Sequence, residues 1–96
     1  MPDKQDLIKH RDQILKLASN YGINRVRIFG SIARDEATKN SDIDLLVNFS
    51  KDSSLFDLIA FKNDVEDLLN QKVDVVSENS LHWYIKDRVI QEAVEI

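Results

Sequence analysis

The chain has 96 residues, of which 43% are hydrophobic and 31% charged. That is the composition of one soluble domain able to bury roughly two-thirds of its unfolded surface, and it excludes a disordered polymer. Cysteine is absent and the net charge is −4, so disulfides, thiolate catalysis and Cys-based zinc are excluded, nonspecific coating of nucleic acid is disfavoured, and a reducing compartment, the cytoplasm, is the expected location.

The opening MPDKQDLIKH has no basic segment leading into an apolar run, and no stretch is long and apolar enough for a membrane span. The protein is therefore expected to be neither exported nor membrane-inserted. Leu7, Ile8, Ile14, Leu15, Ala18 and Tyr21 recur at spacings that sum threes and fours, which predicts one amphipathic helix over residues 4 to 20, capped by Asp3. Asn20 and Gly22 supply the stop. Arg25 to Phe29 alternate as a short strand ended by Gly30, and SIARDEA, residues 31 to 37, predicts a short helix with Ser31 placed to cap its first amides. The run TKNS, 38 to 41, breaks that helix.

Asp42 to Phe49 read as a strand with Ile43, Leu45, Val47 and Phe49 on one face and Asp42 and Asp44 on the other. SKDSS, 50 to 54, is a turn. Leu55, Leu58, Ile59, Val65, Leu68 and Leu69 then mark a helix to about Asn70. Lys72 to Ser77 form a strand with Val73 and Val75 opposite Asp74, and a last helix spans about Ser80 to Glu92 along a Leu81, Ile85, Val89 stripe. The tail is a helix end or a short edge strand. One α/β domain over residues 1 to 96 follows, a small sheet covered by helices.

Two carboxylates at i and i+2 of a strand put hard oxygen ligands side by side, as a Mg²⁺ ion shared with substrate phosphates requires. Asp42 and Asp44 are that pair, and a solvated polar strand face is the plain alternative. The Gly30-Ser31 pair at a strand end opening a helix adds backbone amides and a hydroxyl that can hold a phosphate. Asp74 sits among apolar neighbours in KVDVV, a poor place for a charge without a cation, unless the strand is a sheet edge. Three such carboxylates suggest two metal ions about 3.5–4 Å apart.

The stretch GSIARDEATKNSDIDLLV, residues 30 to 47, carries Gly-Ser, ten intervening residues and Asp-x-Asp, and KVDVV follows. It resembles the polymerase-beta-like nucleotidyltransferases, and in so short a chain it looks like their minimal members (MNT) encoded beside HEPN-domain proteins, many of them antitoxins of HEPN ribonuclease toxins. The resemblance covers about residues 20 to 92. It implies a mixed sheet of three to four strands flanked by about four helices. It further implies that Gly30 and Ser31, with Arg34 and Ser41, bind the nucleotide and that Asp42, Asp44 and Asp74 hold Mg²⁺. Asp74 would be the general base as an acceptor hydroxyl attacks the α-phosphate of ATP, and the acceptor implied is a tyrosine of the HEPN toxin. Relatives usually read Ala-Arg-Gly-Glu where this chain has Ala33, Arg34, Asp35, Glu36, and Asp35 fits a left-handed backbone less readily than glycine. Arg34 is equally well read as a surface arginine paired with an acid.

His10 and His82 are read as surface or interface residues. Trp83 and Tyr84 are adjacent on a helix and point about 100° apart, so one of them is expected to be exposed and to suit a partner surface, with a helix buried on two sides as the alternative. The remaining basic residues are scattered among acids. The reading is an adenylyltransferase that modifies a HEPN partner. Its rivals are an inactive antitoxin that masks the same partner and a small-molecule nucleotidyltransferase, against which the short chain argues.

Overall fold

The structure is a computed structural model and describes residues 4–38 and 42–96. The predicted Asp3 cap and most of the 38 to 41 break, Ser41 included, lie outside the described residues. Helices α1 (Lys4–Lys9) and α2 (Arg11–Asn20) lead into β1 (Ile23–Phe29) and the single turn α3 (Gly30–Ala33). Then come β2 (Ile43–Phe49), α4 (Leu55–Leu69), β3 (Val73–Ser77), a 3₁₀ turn (Glu78–Ser80), α5 (Trp83–Glu92) and β4 (Val94–Glu95).

The strands form one mixed sheet in the order β3-β2-β1-β4, with β1 antiparallel to β2 and β4, and β2 parallel to β3. The α/β class and the strand count agree with expectation, and the tail resolves as an edge strand. On one face Val26 and Ile28 of β1, Ile43, Leu45 and Val47 of β2, and Val73 of β3 meet Leu7 of α1, Ile14 and Ala18 of α2, and Phe61 and Val65 of α4. These fourth- and third-neighbour spacings on the helices and second-neighbour spacings on the strands are what make the two layers fit.

The opposite face holds Arg27, Leu46 and Asn48. Leu46 is fully buried there, apart from the main core, where the 3₁₀ turn packs against β2. Arg27 is buried as well, and its Nη2 donates to Asn48 Oδ1 at 2.8 Å and to Glu78 Oε2 at 2.7 Å. Asn48 Nδ2 donates to the same Glu78 oxygen at 2.6 Å. These bonds, Asn48 first and then Arg27, hold the Glu78 carboxyl below its usual range. They also tie the 3₁₀ turn, and the start of α5 beyond it, to the sheet.

Several expectations need correction. The helix over 4 to 20 is broken at His10, whose ring Nδ1–H donates to the Asp6 carbonyl at 2.9 Å while its backbone N–H turns to the Leu7 carbonyl. The imidazole competes with the helical ladder for an acceptor. The helix over 31 to 37 ends at Ala33, because Asp35 adopts φ 58° and closes it with Glu36 N–H donating to Ser31 C=O at 2.8 Å. Ser31 lies inside that turn, so it does not cap it; the cap position is Phe29.

α4 ends as expected at Asn70 in the left-handed region, and it starts on a capping box in which Ser54 N–H donates to Asp57 Oδ2 at 2.8 Å. Leu55 and Ile59 were expected on its buried stripe but are exposed, as is Phe56, and Phe61 is the buried aromatic. The last helix starts at Trp83, with Leu81 before it. Trp83 and Tyr84 are both exposed, and α5 has no fully buried residue, so the alternative of a helix buried on two sides does not hold.

Phe61 is the largest fully buried side chain, and truncating such a phenylalanine costs about 3–5 kcal/mol. At about 4–8 °C per kcal/mol for a chain of this size, Phe61→Ala is expected to lower Tm by more than roughly 12 °C in a thermal melt.

Candidate active site

β1 ends at Gly30, whose φ of 75° is left-handed. A Cβ at this position would strike the Asp44 carboxylate, with Asp44 Cγ only 3.1 Å away. The turn that begins α3 is thus pressed onto the acid pair of β2, and only a residue without a side chain allows that approach. Ser31, half-buried, follows Gly30 within the same turn.

Asp42 immediately precedes β2 and Asp44 is its second residue, so the two lie on the same side of the strand, and both are half-buried. Asp44 is the register partner of Phe29 on β1 and of Asp74 on β3. The strand register sets Asp44 beside Asp74, Gly30 packs on Asp44, and Asp42 lies two residues before Asp44, just ahead of the strand. For Asp74 the sheet-edge alternative holds: β3 is an edge strand, and the side chain is exposed and not trapped in an apolar interior.

Burial pushes the Asp44 carboxyl above the ordinary aspartate range, the charges of Asp74 and Asp42 push it the same way, and Arg34 opposes them. Among the described residues no three carboxylate or imidazole side chains close into a ready cage for an ion. The donors are nevertheless hard oxygens gathered on one face with mutual repulsion, the chemistry that suits a divalent cation such as Mg²⁺. The residues fit that group.

Arg34 follows α3 and is partly exposed, held by Glu36 at 3.1 Å and by Glu92 of α5 at 3.3 Å. Arg88 reaches the same Glu92 at 3.3 Å. Together with Phe29, Gly30, Ile85 and Val89, the side chains of Arg34, Arg88 and Glu92 line a depression of about 250 Å³ beside the Gly30 turn. Sequence reasoning missed Arg88 and Glu92, although their spacing of four on a helix is a legible ion-pair signal. A larger groove of about 630 Å³ runs between α2 and α4, on the other side of the sheet, and shares none of the acid residues.

Residues 7–96 match the nucleotidyltransferase domain family. The chain belongs to that family. It is 43% identical over 84 residues to an inferred protein adenylyltransferase of Methanocaldococcus jannaschii, MJ0435, covering 88% of this chain and 90% of that protein. A solved structure described as an inferred minimal nucleotidyltransferase superposes with a TM-score of 0.89 at 40% identity, covering 99% of this chain and 97% of that one. This protein is accordingly a nucleotidyltransferase of the minimal type. A tri-AMPylated Shewanella oneidensis HEPN toxin in complex with its MNT antitoxin is similar at a TM-score of 0.68 and 18% identity, over 92% of this chain and 69% of that one. At that identity the likeness is one of fold.

Two outcomes follow from the packing of Gly30 against Asp44. Gly30→Ala meets both a left-handed backbone, costing about 1–2 kcal/mol, and the Asp44 carboxylate, so Tm is expected to drop by about 5 °C or more in a thermal melt. For Asp44, the folded chain holds the proton to higher pH than the unfolded chain does. Stability therefore falls as pH rises from the ordinary carboxylate range to the raised value, and the full penalty persists above it. Asp44→Asn in the metal-free protein is expected to raise Tm at pH 7, with the gain shrinking as pH falls into the carboxylate range; a lower Tm at pH 7 would contradict this.

Proposed function

We propose that this nucleotidyltransferase moves AMP from ATP onto a hydroxyl, a tyrosine, of a HEPN-domain toxin and so acts as the toxin's antitoxin in the cytoplasm. The observation that carries the reading is the packing of the Gly30-Ser31 turn directly on Asp44, with Asp74 in register beside it. A phosphate-binding turn and a cation-binding acid face are thereby contiguous. The adenylyltransferase relative and the HEPN toxin complex of the same fold support the choice of AMP and of a protein acceptor.

In this mechanism the backbone amides of the Gly30 turn and the Ser31 hydroxyl meet the triphosphate, with Arg34 facing its oxygens and Ser41 as a further nucleotide contact. Asp42 and Asp44, with Asp74, would hold Mg²⁺, which when bound offsets charge on the α-phosphate and the departing pyrophosphate. Asp74 takes the proton of the acceptor hydroxyl as its oxygen attacks the α-phosphorus. The bond from that phosphorus to the bridging oxygen breaks, pyrophosphate leaves and the hydroxyl becomes an AMP ester. Because Asp74 is exposed, it can pass the proton on to solvent.

Asp35 in place of the usual glycine does not spoil the turn. It adopts φ 58°, and its carboxylate is paired with Lys4 Nζ at 3.4 Å, drawn toward α1. The exposed Trp83 and Tyr84, stacked edge-on with ring centroids 5.8 Å apart, provide aromatic surface of the kind that protein partners bury.

The test is intact-mass spectrometry of the cognate HEPN protein after incubation with this chain, ATP and Mg²⁺. One or more AMP additions are expected, reduced about 10²–10³-fold in initial rate by Asp42→Asn or Asp44→Asn, the scale of losing one charge-stabilising group. A stable complex without added mass would favour the masking antitoxin, and neither complex nor added mass would favour a small-molecule acceptor.

A further inference from the structure

The depression beside Gly30 is bordered by two arginines from different elements, Arg34 after α3 and Arg88 on α5, and both reach one carboxylate, Glu92. Arg34 uses Nη1 and Arg88 uses Nε, each 3.3 Å from a different oxygen of Glu92. A carboxylate accepting from two guanidinium groups has the donor arrangement that a phosphate group also satisfies, with greater charge and more oxygens. Glu92 is about one-third exposed and Arg88 largely exposed. Ion pairs so open to water are weak and readily exchanged.

The same depression is walled by Gly30, the residue that brings the phosphate-binding turn onto Asp44. A nucleotide whose α-phosphate lies over the acid face has its remaining phosphates within a short run of these guanidinium groups. Resting on the proposed nucleotide transfer, we propose that Arg88 joins Arg34 in binding the terminal phosphates of the triphosphate, and that Glu92 occupies the two arginines until the nucleotide displaces it. α5 is then part of the nucleotide site and not only a cover for the sheet. Because α5 packs on α3, displacement of Glu92 also loosens a tie between the last helix and the turn that holds the substrate.

The experiment is calorimetric titration of the full chain with ATP and Mg²⁺ at low ionic strength, for the parent protein, Arg88→Gln, Glu92→Gln and the control Asp87→Asn. Asp87 is an exposed acid on the same helix, so its substitution makes the same charge change as Glu92→Gln without removing the carboxylate that holds the two arginines. Arg88→Gln is expected to weaken ATP binding about two- to fivefold and Glu92→Gln to tighten it about two- to fivefold, the size of an exposed ion pair, while Asp87→Asn changes it less than about 1.5-fold. If the pair merely braces α5, Arg88→Gln and Glu92→Gln shift affinity in the same direction or not at all, and the proposal falls. It falls equally if Asp87→Asn tightens binding as much as Glu92→Gln does. Failure of the parent chain to bind ATP overturns the nucleotidyl-transfer reading and this proposal together, whereas the other contrary results overturn only the role of Arg88 and Glu92.

Discussion

The close approach of Gly30 to the Asp44 carboxylate is the contact on which the rest of the site depends. It requires a left-handed residue with no side chain at the end of β1, a carboxylate at the second position of β2, and antiparallel pairing that sets Phe29 opposite Asp44. The hydrophobic face of the sheet fixes that register, since a one-residue slip would turn Ile43, Leu45 and Val47 outward. Core packing on one side of the sheet thus determines the placement of chemistry on the other. The cost is visible at Asp44, half-buried beside two like charges with Arg34 in opposition. A site that is electrostatically uncomfortable when empty is suited to a cationic ligand, because the ligand relieves a strain that the fold maintains.

The chemistry-bearing face is organised by polar contacts of long sequence separation. Arg27 and Glu78 bury an ion pair that anchors the 3₁₀ turn, and Arg34, Arg88 and Glu92 link the segment after the Gly30 turn to α5. The first is buried and shared with Asn48, so it fixes position; the second is exposed and exchangeable. This division suits a small enzyme in which the sheet must stay rigid while the substrate side accommodates a nucleotide. It leaves Trp83 and Tyr84 at the beginning of α5 open to a partner.

Much of this was legible locally. Alternation in DIDLLVNF and KVDVV gave both strands and put Asp42, Asp44 and Asp74 on the faces where they are found, because strand periodicity is a property of neighbouring residues. The strand end was legible at Gly30, whereas the left-handed residue at Asp35 cut short a helix that periodicity carried on to residue 37. What escaped was set by distant partners or by competition. Arg27 is one of the basic residues scattered among acids in the sequence, and its burial depends on Glu78, 51 residues away. The break at His10 arises from a side chain outcompeting the helical ladder. Periodicity marked Leu55 and Ile59 as members of an apolar stripe but could not say how far the sheet extends beneath it.

The most direct test of the account is a carbon-13 NMR titration of the Asp44 carboxyl, with and without Mg²⁺. The account predicts a titration above the ordinary aspartate range in the free protein and a shift to lower pH when Mg²⁺ is added. A carboxyl that titrates at or below the ordinary range, or one that Mg²⁺ does not move, would contradict the claim that the fold holds an acid face in wait for a cation.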